Sequence, residues 1–118
     1  MLINLLKLFP PENAHQITIK LLKSNLTLFR KNIEEFNSLR QTILGIDFRN
    51  PLGLAAGFDK NAEVIKPMLS YGFGFVEVGT ITPRPQKGNQ KPRIFRLEED
   101  EAVINHLGFN NHGSEKIL

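Results

Sequence analysis

The sequence predicts an α/β domain that follows a small helical section. Two short apolar segments, PLGLAAG and FGFVEVGT, are typical of buried strands, and the helix-forming stretch NAEVIKPMLSYG lies between them. Strand, helix and strand in this order form a βαβ unit, whose strands pair in parallel. Ahead of them, apolar residues recur at helical spacing after a Pro-Pro break, which predicts the helical section.

The composition excludes several classes of protein. The chain has 118 residues, of which 41% are hydrophobic and 23% charged, so it suits one small globular domain rather than a disordered tail. It has no cysteine, and none of its three histidines stands at ligand spacing with an acidic partner, so we expect no metal site. A net charge of +3 does not indicate nucleic acid, and we expect no such partner.

The first section, up to residue 31, is predicted to form a short helix, a turn at Pro10-Pro11 and a longer amphipathic helix. Proline cannot continue a helix, but its first turn tolerates one. The section is rich in leucine and isoleucine, and Glu12 is its single acidic residue. Its cations are Lys7, Lys20, Lys23, Arg30 and Lys31. This pattern predicts contact with a membrane surface through residues 1–31. The alternative is an ordinary helix pair whose basic face is solvated.

The remaining elements follow from local patterns. Residues 32–49 connect the two parts and end in a hairpin around Gly45. The helix of the βαβ unit should bend at Pro67. The stretch PRPQKGNQKPR has the composition of a loop, and RIFRLEEDEAVIN predicts two short strands around an acidic turn. The last stretch, HLGFNNHGSEKIL, predicts a loop and then a helix.

The tips of the two parallel strands are the first candidate site. Ligands bind at the carboxyl ends of parallel strands, where Gly57 to Lys60 follow one strand and Gly79-Thr80 follow the next. Glycine lets a ligand approach the backbone, and Lys60 could pair with an anion. The alternative is that Asp59 caps the following helix while Lys60 is solvated. The two interpretations are compatible.

The segment INHLGFNN is the second candidate site. Asparagine side chains can bind a polar ring through both donor and acceptor atoms, and Asn105, Asn110 and Asn111 surround Gly108 here. The alternative is an asparagine-rich turn without a ligand. His15, His106 and His112 are expected at the surface or in capping positions.

Three long motifs resemble those of one enzyme family. NPLGLAAGFDKNAE, GFGFVEVGTITPRPQKGNQKPRIFRL and INHLGFNNHG are similar to motifs of the membrane-associated, quinone-dependent dihydroorotate dehydrogenases, and PENAH resembles the start of that class's helical extension. The resemblance implies the N-terminal part of a flavin-binding (β/α)8 barrel, or TIM barrel, behind a small helical extension. The extension would span residues 1–40 and the barrel part residues 41–118. A whole barrel takes about 250 residues, so we expect an N-terminal third that is inactive alone.

The resemblance also implies roles for single residues. Flavin mononucleotide (FMN) contacts are expected at Ala56, Gly57, Phe58, Asp59, Lys60 and Thr80. Substrate contacts are expected at Lys60, Asn105, His106, Leu107, Gly108 and Phe109. His15 and Arg96 match positions that line a quinone tunnel. The catalytic base corresponds to a serine on a later barrel loop, so no catalytic residue is expected before Leu118. Pro10 and His106 depart from the family pattern, which should weaken a helix cap and change the packing of the substrate loop.

The implied activity is oxidation of dihydroorotate to orotate in pyrimidine biosynthesis, with a ubiquinone-type quinone as acceptor. The chain starts directly at the helical extension, so we expect a bacterial enzyme held peripherally on the cytoplasmic side of the inner membrane. Two alternatives remain open at this point. One is another FMN-dependent barrel oxidoreductase with a soluble acceptor, and the other is a membrane-binding remnant without activity.

Overall fold

The computed structural model describes residues 2–24 and 34–117, which begin with the two predicted helices. Helix α1 spans Leu2–Lys7 and helix α2 spans Pro11–Lys23, so the break falls where the two prolines stand. Pro11 occupies the first turn of α2, and Pro10 precedes it without a side-chain cap, as the sequence predicted. Leu28, Arg30 and Lys31, which were predicted to belong to the same section, lie outside the described residues.

A hairpin leads into the α/β part. Strands β1, Gln41–Ile43, and β2, Ile46–Phe48, pair antiparallel after a 3₁₀ turn at Asn37–Leu39. The two residues between them have positive φ angles, 52° at Leu44 and 77° at Gly45. Such a turn matches the right-handed twist of paired strands. The predicted hairpin is confirmed.

The βαβ unit is present, with a shorter helix than predicted. Strand β3, Gly53–Leu54, pairs parallel with β4, Phe75–Val76, and helix α3 between them spans Ile65–Ser70. Residues 61–64 are not helical. Pro67 therefore falls in the first turn of α3, where proline is tolerated. The predicted bend at Pro67 is wrong for that reason.

The last elements follow the predicted order. Strands β5, Ile94–Leu97, and β6, Ala102–Asn105, pair antiparallel around the acidic turn, and helix α4 spans Ser114–Ile117. An isolated β-bridge between Gln86 and Asn111 helps to join the long loop before β5 to the segment before α4. The second candidate site is thus joined to the loop that follows β4.

A small apolar core attaches α2 to the βαβ unit. Ile19 of α2, fully buried Val64 and Met68 of α3 form its centre, and Leu54 of β3 and Val76 of β4 pack against it. No helix in residues 2–24 and 34–117 is long and apolar enough to cross a membrane.

Much apolar surface remains uncovered. Among the described residues just four hydrophobic side chains are buried, whereas Leu44, Leu52 and Phe109 are 97%, 64% and 65% exposed. The described strands form three sheets of two strands each and no closed barrel. The free edges of β3 and β4 carry backbone groups that need further strands.

We expect residues 1–118, expressed alone, to associate and to bind no flavin, because uncovered apolar faces and open sheet edges favour self-association. Size-exclusion chromatography with light scattering measures this directly. Replacing Val103 and Ile104, both more than half exposed, by lysine should raise the monomer fraction. The same change at exposed Glu99 on the neighbouring turn should not. A yellow, monodisperse monomer of the unmodified chain would contradict the prediction.

Candidate functional site

The tips of β3 and β4 lie against each other through backbone hydrogen bonds. The amide of Gly57 donates to the carbonyl of Gly79 at 2.9 Å, and the amide of Gly79 donates to the carbonyl of Asp59 at 3.0 Å. These bonds bring the loop at residues 56–60 beside Thr80, which is exposed. The residues predicted to contact a flavin therefore share one edge of the sheet.

Gly57 leaves the ligand side of this edge open. Its φ angle is 104°, a conformation that L-amino acids with a side chain rarely adopt, and a Cβ atom there would meet no atom within 4 Å. The backbone at this point is thus accessible to a flat group. Ala56 on one side of it is exposed, and Phe58 on the other is half-buried.

Asp59 has a structural task. Its carboxylate is 1% exposed and accepts the backbone amides of Glu63 at 2.8 Å and Val64 at 2.7 Å. It therefore holds the segment that leads into α3, close to the predicted capping role, although Val64 is the residue that caps the helix. Its side chain is fully engaged by the protein. The flavin contact expected at Asp59 stays a prediction and would involve its backbone.

Lys60 is a half-buried cation at the same edge. Its ammonium donates to the carbonyl of Gly57 at 2.5 Å, and no ion pair within residues 2–24 and 34–117 includes it. Burial lowers the pKa of Lys60, and the nearby Arg93 charge adds to this, while Glu12 and Asp59 oppose it. A desolvated cation without a carboxylate partner favours an anionic ligand. Lys60 is thus half-buried rather than fully solvated, and its contact with an anion stays a prediction.

A cleft of about 600 Å³ separates α2 from the two candidate loops. His15 and Gln16 line it from the helix, Lys60 and Asn61 from the strand tip, and Leu107 from the segment after β6. The described residues thus bring Lys60 and Leu107 to one cleft. The other four residues of the predicted substrate segment, Asn105, His106, Gly108 and Phe109, do not line it.

The segment after β6 is held by an asparagine that points inward. Asn111 is 4% exposed, and its side-chain oxygen accepts the amides of Thr82 at 3.2 Å and Gly113 at 2.9 Å. Its side-chain nitrogen donates to the Thr82 hydroxyl at 2.8 Å and to the Phe109 carbonyl at 2.7 Å. For Asn111 the alternative of a structural turn holds. Asn105 ends β6 and is exposed, so it remains free to contact a ligand.

His106 and Asn61 connect this segment to its surroundings. The imidazole of His106 stacks on Phe95 of β5, with ring centroids 5.8 Å apart and planes 20° apart. The side-chain oxygen of Asn61 accepts the amide of His112 at 2.9 Å, which ties the strand-tip loop to the segment after β6. Sequence analysis did not select Asn61. Its place directly after Lys60 in the first motif was the available signal.

His15 and Arg96 both lie where the helical extension meets the α/β part. Nε2 of His15 is 2.6 Å from the carbonyl oxygen of Phe58, and the two rings pack edge to face. A carbonyl oxygen accepts only, so Nε2 carries the proton. Burial lowers the pKa of His15, which favours the neutral imidazole. Arg96 donates to the carbonyls of Lys7 at 3.0 Å and Phe9 at 2.9 Å, at the end of α1.

Arg93 is a buried cation that sequence analysis missed. It is 5% exposed and forms a two-point ion pair with Glu12 of α2, at 2.6 Å and 3.2 Å. The hydrogen bond from Arg93 is the main cause that lowers the pKa of Glu12. The available signal in the sequence was Glu12, the single acidic residue of the basic N-terminal section. Such a carboxylate can pair with a buried arginine elsewhere in the chain.

The strand-tip residues fit a flavin. An open glycine, an exposed threonine and a half-buried cation meet at one edge, where a planar ring with polar edges and a phosphate could contact backbone and side chains. The described residues contain no group of three histidine, aspartate or glutamate side chains that could hold a metal ion.

Comparison with known proteins identifies relatives of this chain. The sequence model of the dihydroorotate dehydrogenase family matches residues 38–118. The chain is 61% identical over 108 residues to "Dihydroorotate dehydrogenase (quinone)" of Rhizobium etli strain CIAT 652, and 57% identical to the protein of that name from Azorhizobium caulinodans. Each alignment covers 92% of this chain and 30% of the relative. The chain thus spans about 30% of the length of these relatives.

Solved structures give the same result for the fold. The crystal structure of Eimeria tenella dihydroorotate dehydrogenase with ferulenol superposes with a TM-score of 0.85 at 50% identity, over 91% of this chain and 28% of that one. The ligand-free structure from the same organism gives a TM-score of 0.84. The fold predicted from sequence, the first part of a TIM barrel behind a helical extension, is confirmed. The match to more than half of its residues shows that the chain belongs to the dihydroorotate dehydrogenase family.

Proposed function

We propose that this chain forms the N-terminal part of a flavoenzyme that oxidises dihydroorotate to orotate and passes the electrons to a quinone. The observation that supports this most directly is Lys60, a half-buried cation without a carboxylate partner among the described residues, placed at the open strand tip. The names of its quinone-type relatives agree with this activity. Because the chain spans about 30% of those relatives, we assign the activity to a full-length protein, meaning the product of the complete reading frame that contains this chain.

FMN would be held at the strand tips by Ala56, Gly57, Phe58, Asp59, Lys60 and Thr80. Backbone atoms of residues 56–59 would contact the ring, because the Asp59 carboxylate is already engaged. The Thr80 hydroxyl is exposed beside them and can donate or accept a hydrogen bond. When bound, FMN supplies a two-electron acceptor for the substrate and a donor for the quinone.

Lys60 would bind and orient the substrate. Its ammonium has three donors, of which one is used by the Gly57 carbonyl, so two remain for the carboxylate of dihydroorotate. The substrate segment, residues 105–109, would complete the pocket through Leu107, which lines the same cleft as Lys60. We expect the catalytic base on another part of the full-length protein.

The helical extension would carry the quinone end of the reaction. His15 and Arg96 lie on the junction between the extension and the barrel part, where a tunnel from the membrane surface would open. Neutral His15 donates from Nε2 to the protein, so its Nδ1 atom can accept a hydrogen bond. Exposed Leu5 and Leu8 would contact acyl chains, and the lysines would contact anionic headgroups. In a bacterium the enzyme would then lie peripherally on the cytoplasmic side of the inner membrane.

We expect Lys60→Ala in the full-length protein to slow flavin reduction by dihydroorotate and to weaken orotate binding by tens to hundreds of fold. Losing a charged partner in a water-poor site costs on the order of 2–4 kcal/mol. Anaerobic stopped-flow absorbance measures the flavin step, and the KM for quinone should change little.

Lys66→Ala is the matched control, because Lys66 is an exposed lysine on α3 that does not line the cleft. Lys66→Ala should leave the rate of flavin reduction and the affinity for orotate unchanged. Flavin reduction in Lys60→Ala within threefold of the unmodified protein would show that Lys60 does not bind the substrate.

We expect the double change Leu5→Ser and Leu8→Ser to reduce binding of the full-length protein to anionic liposomes and to raise the KM for a long-chain quinone together. Both leucines are more than half exposed, and each loses a few kcal/mol of burial in the bilayer. Cosedimentation measures binding, and steady-state kinetics measures the KM. Dihydroorotate-driven flavin reduction should persist, since its residues lie in the barrel part.

Leu52→Ser serves as control, because Leu52 is 64% exposed but lies outside the helical extension. Deletion of residues 2–30 should abolish both liposome binding and long-chain quinone turnover. If the deleted protein still cosediments and still reduces a long-chain quinone, the helices only pack on the barrel. A preference for a soluble acceptor would then favour the alternative of another FMN-dependent barrel oxidoreductase without a membrane partner.

We expect His15 to make the full-length protein less stable in acid. Its pKa lies below the ordinary value of 6.5 in the folded protein, so the unfolded chain takes up the proton first as pH falls. His15 therefore contributes no penalty well above pH 6.5 and a growing one as pH falls through 6.5 towards its lowered pKa. His15→Gln can still donate to the Phe58 carbonyl but does not titrate. The Tm difference between the two proteins should thus change across this window, and a constant difference would show that His15 is not desolvated.

A further inference from the structure

Arg93 uses its donors in two directions. Nε and Nη2 donate to the two carboxylate oxygens of Glu12 on α2, at 3.2 Å and 2.6 Å. Nη1 donates to the carbonyls of Lys87 at 2.7 Å and Asn89 at 3.0 Å, with the Leu107 carbonyl 3.4 Å away. One buried guanidinium thus joins the helical extension to a loop of the barrel part and to the predicted substrate segment.

The loop at residues 87–89 is itself bound to the substrate segment. The amide of Asn89 donates to the Leu107 carbonyl at 3.0 Å, and its side-chain nitrogen donates to the His106 carbonyl at 2.7 Å. The amide of His106 donates to the carbonyl of Arg93 at 3.0 Å. The backbone carbonyl of Arg93 thus holds His106, and its guanidinium lies beside the carbonyl of Leu107.

Gly88 shows how closely these groups fit. A Cβ atom at Gly88 would lie 2.2 Å from the Leu107 oxygen and 2.7 Å from Nη1 of Arg93. No space remains for the loop to shift towards the guanidinium. A displacement of Arg93 would accordingly move the loop and, with it, residues 106 and 107.

We propose that Arg93 is a positioning residue for the predicted substrate segment, residues 105–109, and that Glu12 on α2 orients its guanidinium. This inference rests on the proposed function, because it assigns dihydroorotate to that segment. It gives the helical extension a part in binding the substrate as well as the quinone. Glu12 stands three residues before His15 on α2, so the two contacts of the helix lie on adjacent positions of one face.

The test uses Arg93→Lys and Glu12→Gln in the full-length protein. Lysine keeps the charge but cannot bridge a carboxylate and two carbonyls with one fixed fork. Glutamine keeps the shape of Glu12 but turns an NH₂ group towards the guanidinium. We expect each variant to raise the Kd for orotate and the KM for dihydroorotate about tenfold, which corresponds to about 1.4 kcal/mol. The KM for quinone should rise by less than twofold.

Lys87→Ala is the matched control. It removes a positive charge from the same loop and keeps the carbonyl that Arg93 contacts, so the orotate Kd should be unchanged. Hydrogen exchange of the amides at residues 105–109, measured on the substrate-free protein, gives a readout that does not depend on activity. Exchange there should be faster in Arg93→Lys and Glu12→Gln than in Lys87→Ala.

The outcomes separate the two claims. A purely structural role would lower the yield of flavin-loaded protein but leave the orotate Kd of the loaded fraction and the local exchange unchanged, and this would overturn the inference. If Arg93→Lys does not fold, Glu12→Gln alone decides by the same two measurements. If the unmodified protein neither binds orotate nor oxidises dihydroorotate, the proposed function fails and the substrate assignment fails with it. The exchange experiment then still decides whether Arg93 and Glu12 hold the segment.

Discussion

The buried carboxylate of Asp59 is the interaction on which the candidate site depends. It accepts two backbone amides, from Glu63 and Val64, in a place that is 1% exposed. Hydrogen bonds to a charged acceptor contribute about 1.5–3 kcal/mol each. The backbone carbonyl of Asp59 accepts the amide of Gly79, and this hydrogen bond ties the two strand tips together. One residue therefore sets the entry to α3, the spacing of the tips and the direction of the chain at Lys60.

The helical extension is attached by several different interactions, and this gives it a defined position. Ile19 packs into the apolar core, His15 donates to the Phe58 carbonyl, and Glu12 pairs with Arg93. The three residues lie along one helix at positions three and four apart, so they point to the same side. Apolar burial stabilises the contact without fixing its direction, and the two polar links fix its register. The extension thus forms one wall of the cleft instead of a separate appendage.

The sequence predicted the described α-helices and strands in the correct order from local signals, but not the 3₁₀ turn at Asn37–Leu39. The hairpin around Gly45, the split at Pro10-Pro11 and the parallel strands all followed from spacing and breaker residues. The length of α3 did not, because Asp59 binds the amides of residues 63 and 64 and holds them outside the helix. A contact between a side chain and the backbone four or five residues on has no signature in hydrophobic periodicity.

The candidate site could be predicted less completely than the fold. The strand-tip residues were selected because ligands bind at the carboxyl ends of parallel strands. The motif resemblance then implied a flavin and a substrate as their ligands. Arg93 was missed because its partner Glu12 lies 81 positions away, a separation no local pattern reports. The boundary predicted at residue 41 stays a prediction. It lies close to residue 38, where the family match begins.

Lys60 lies near a second buried cation, Arg93, whose effect on the Lys60 ammonium is opposed by a neighbouring carboxylate. Arg93 alone would oppose a positive charge in the cleft, and it contributes to the lowered pKa of Lys60. Glu12, which lines the same cleft, acts in the opposite direction on Lys60. Because Glu12 and Arg93 are paired at 2.6 Å, their opposite effects on Lys60 offset each other in part. The ion pair that holds the helical extension in place thereby also sets a carboxylate against the Arg93 charge beside Lys60, the residue proposed to bind an anionic substrate.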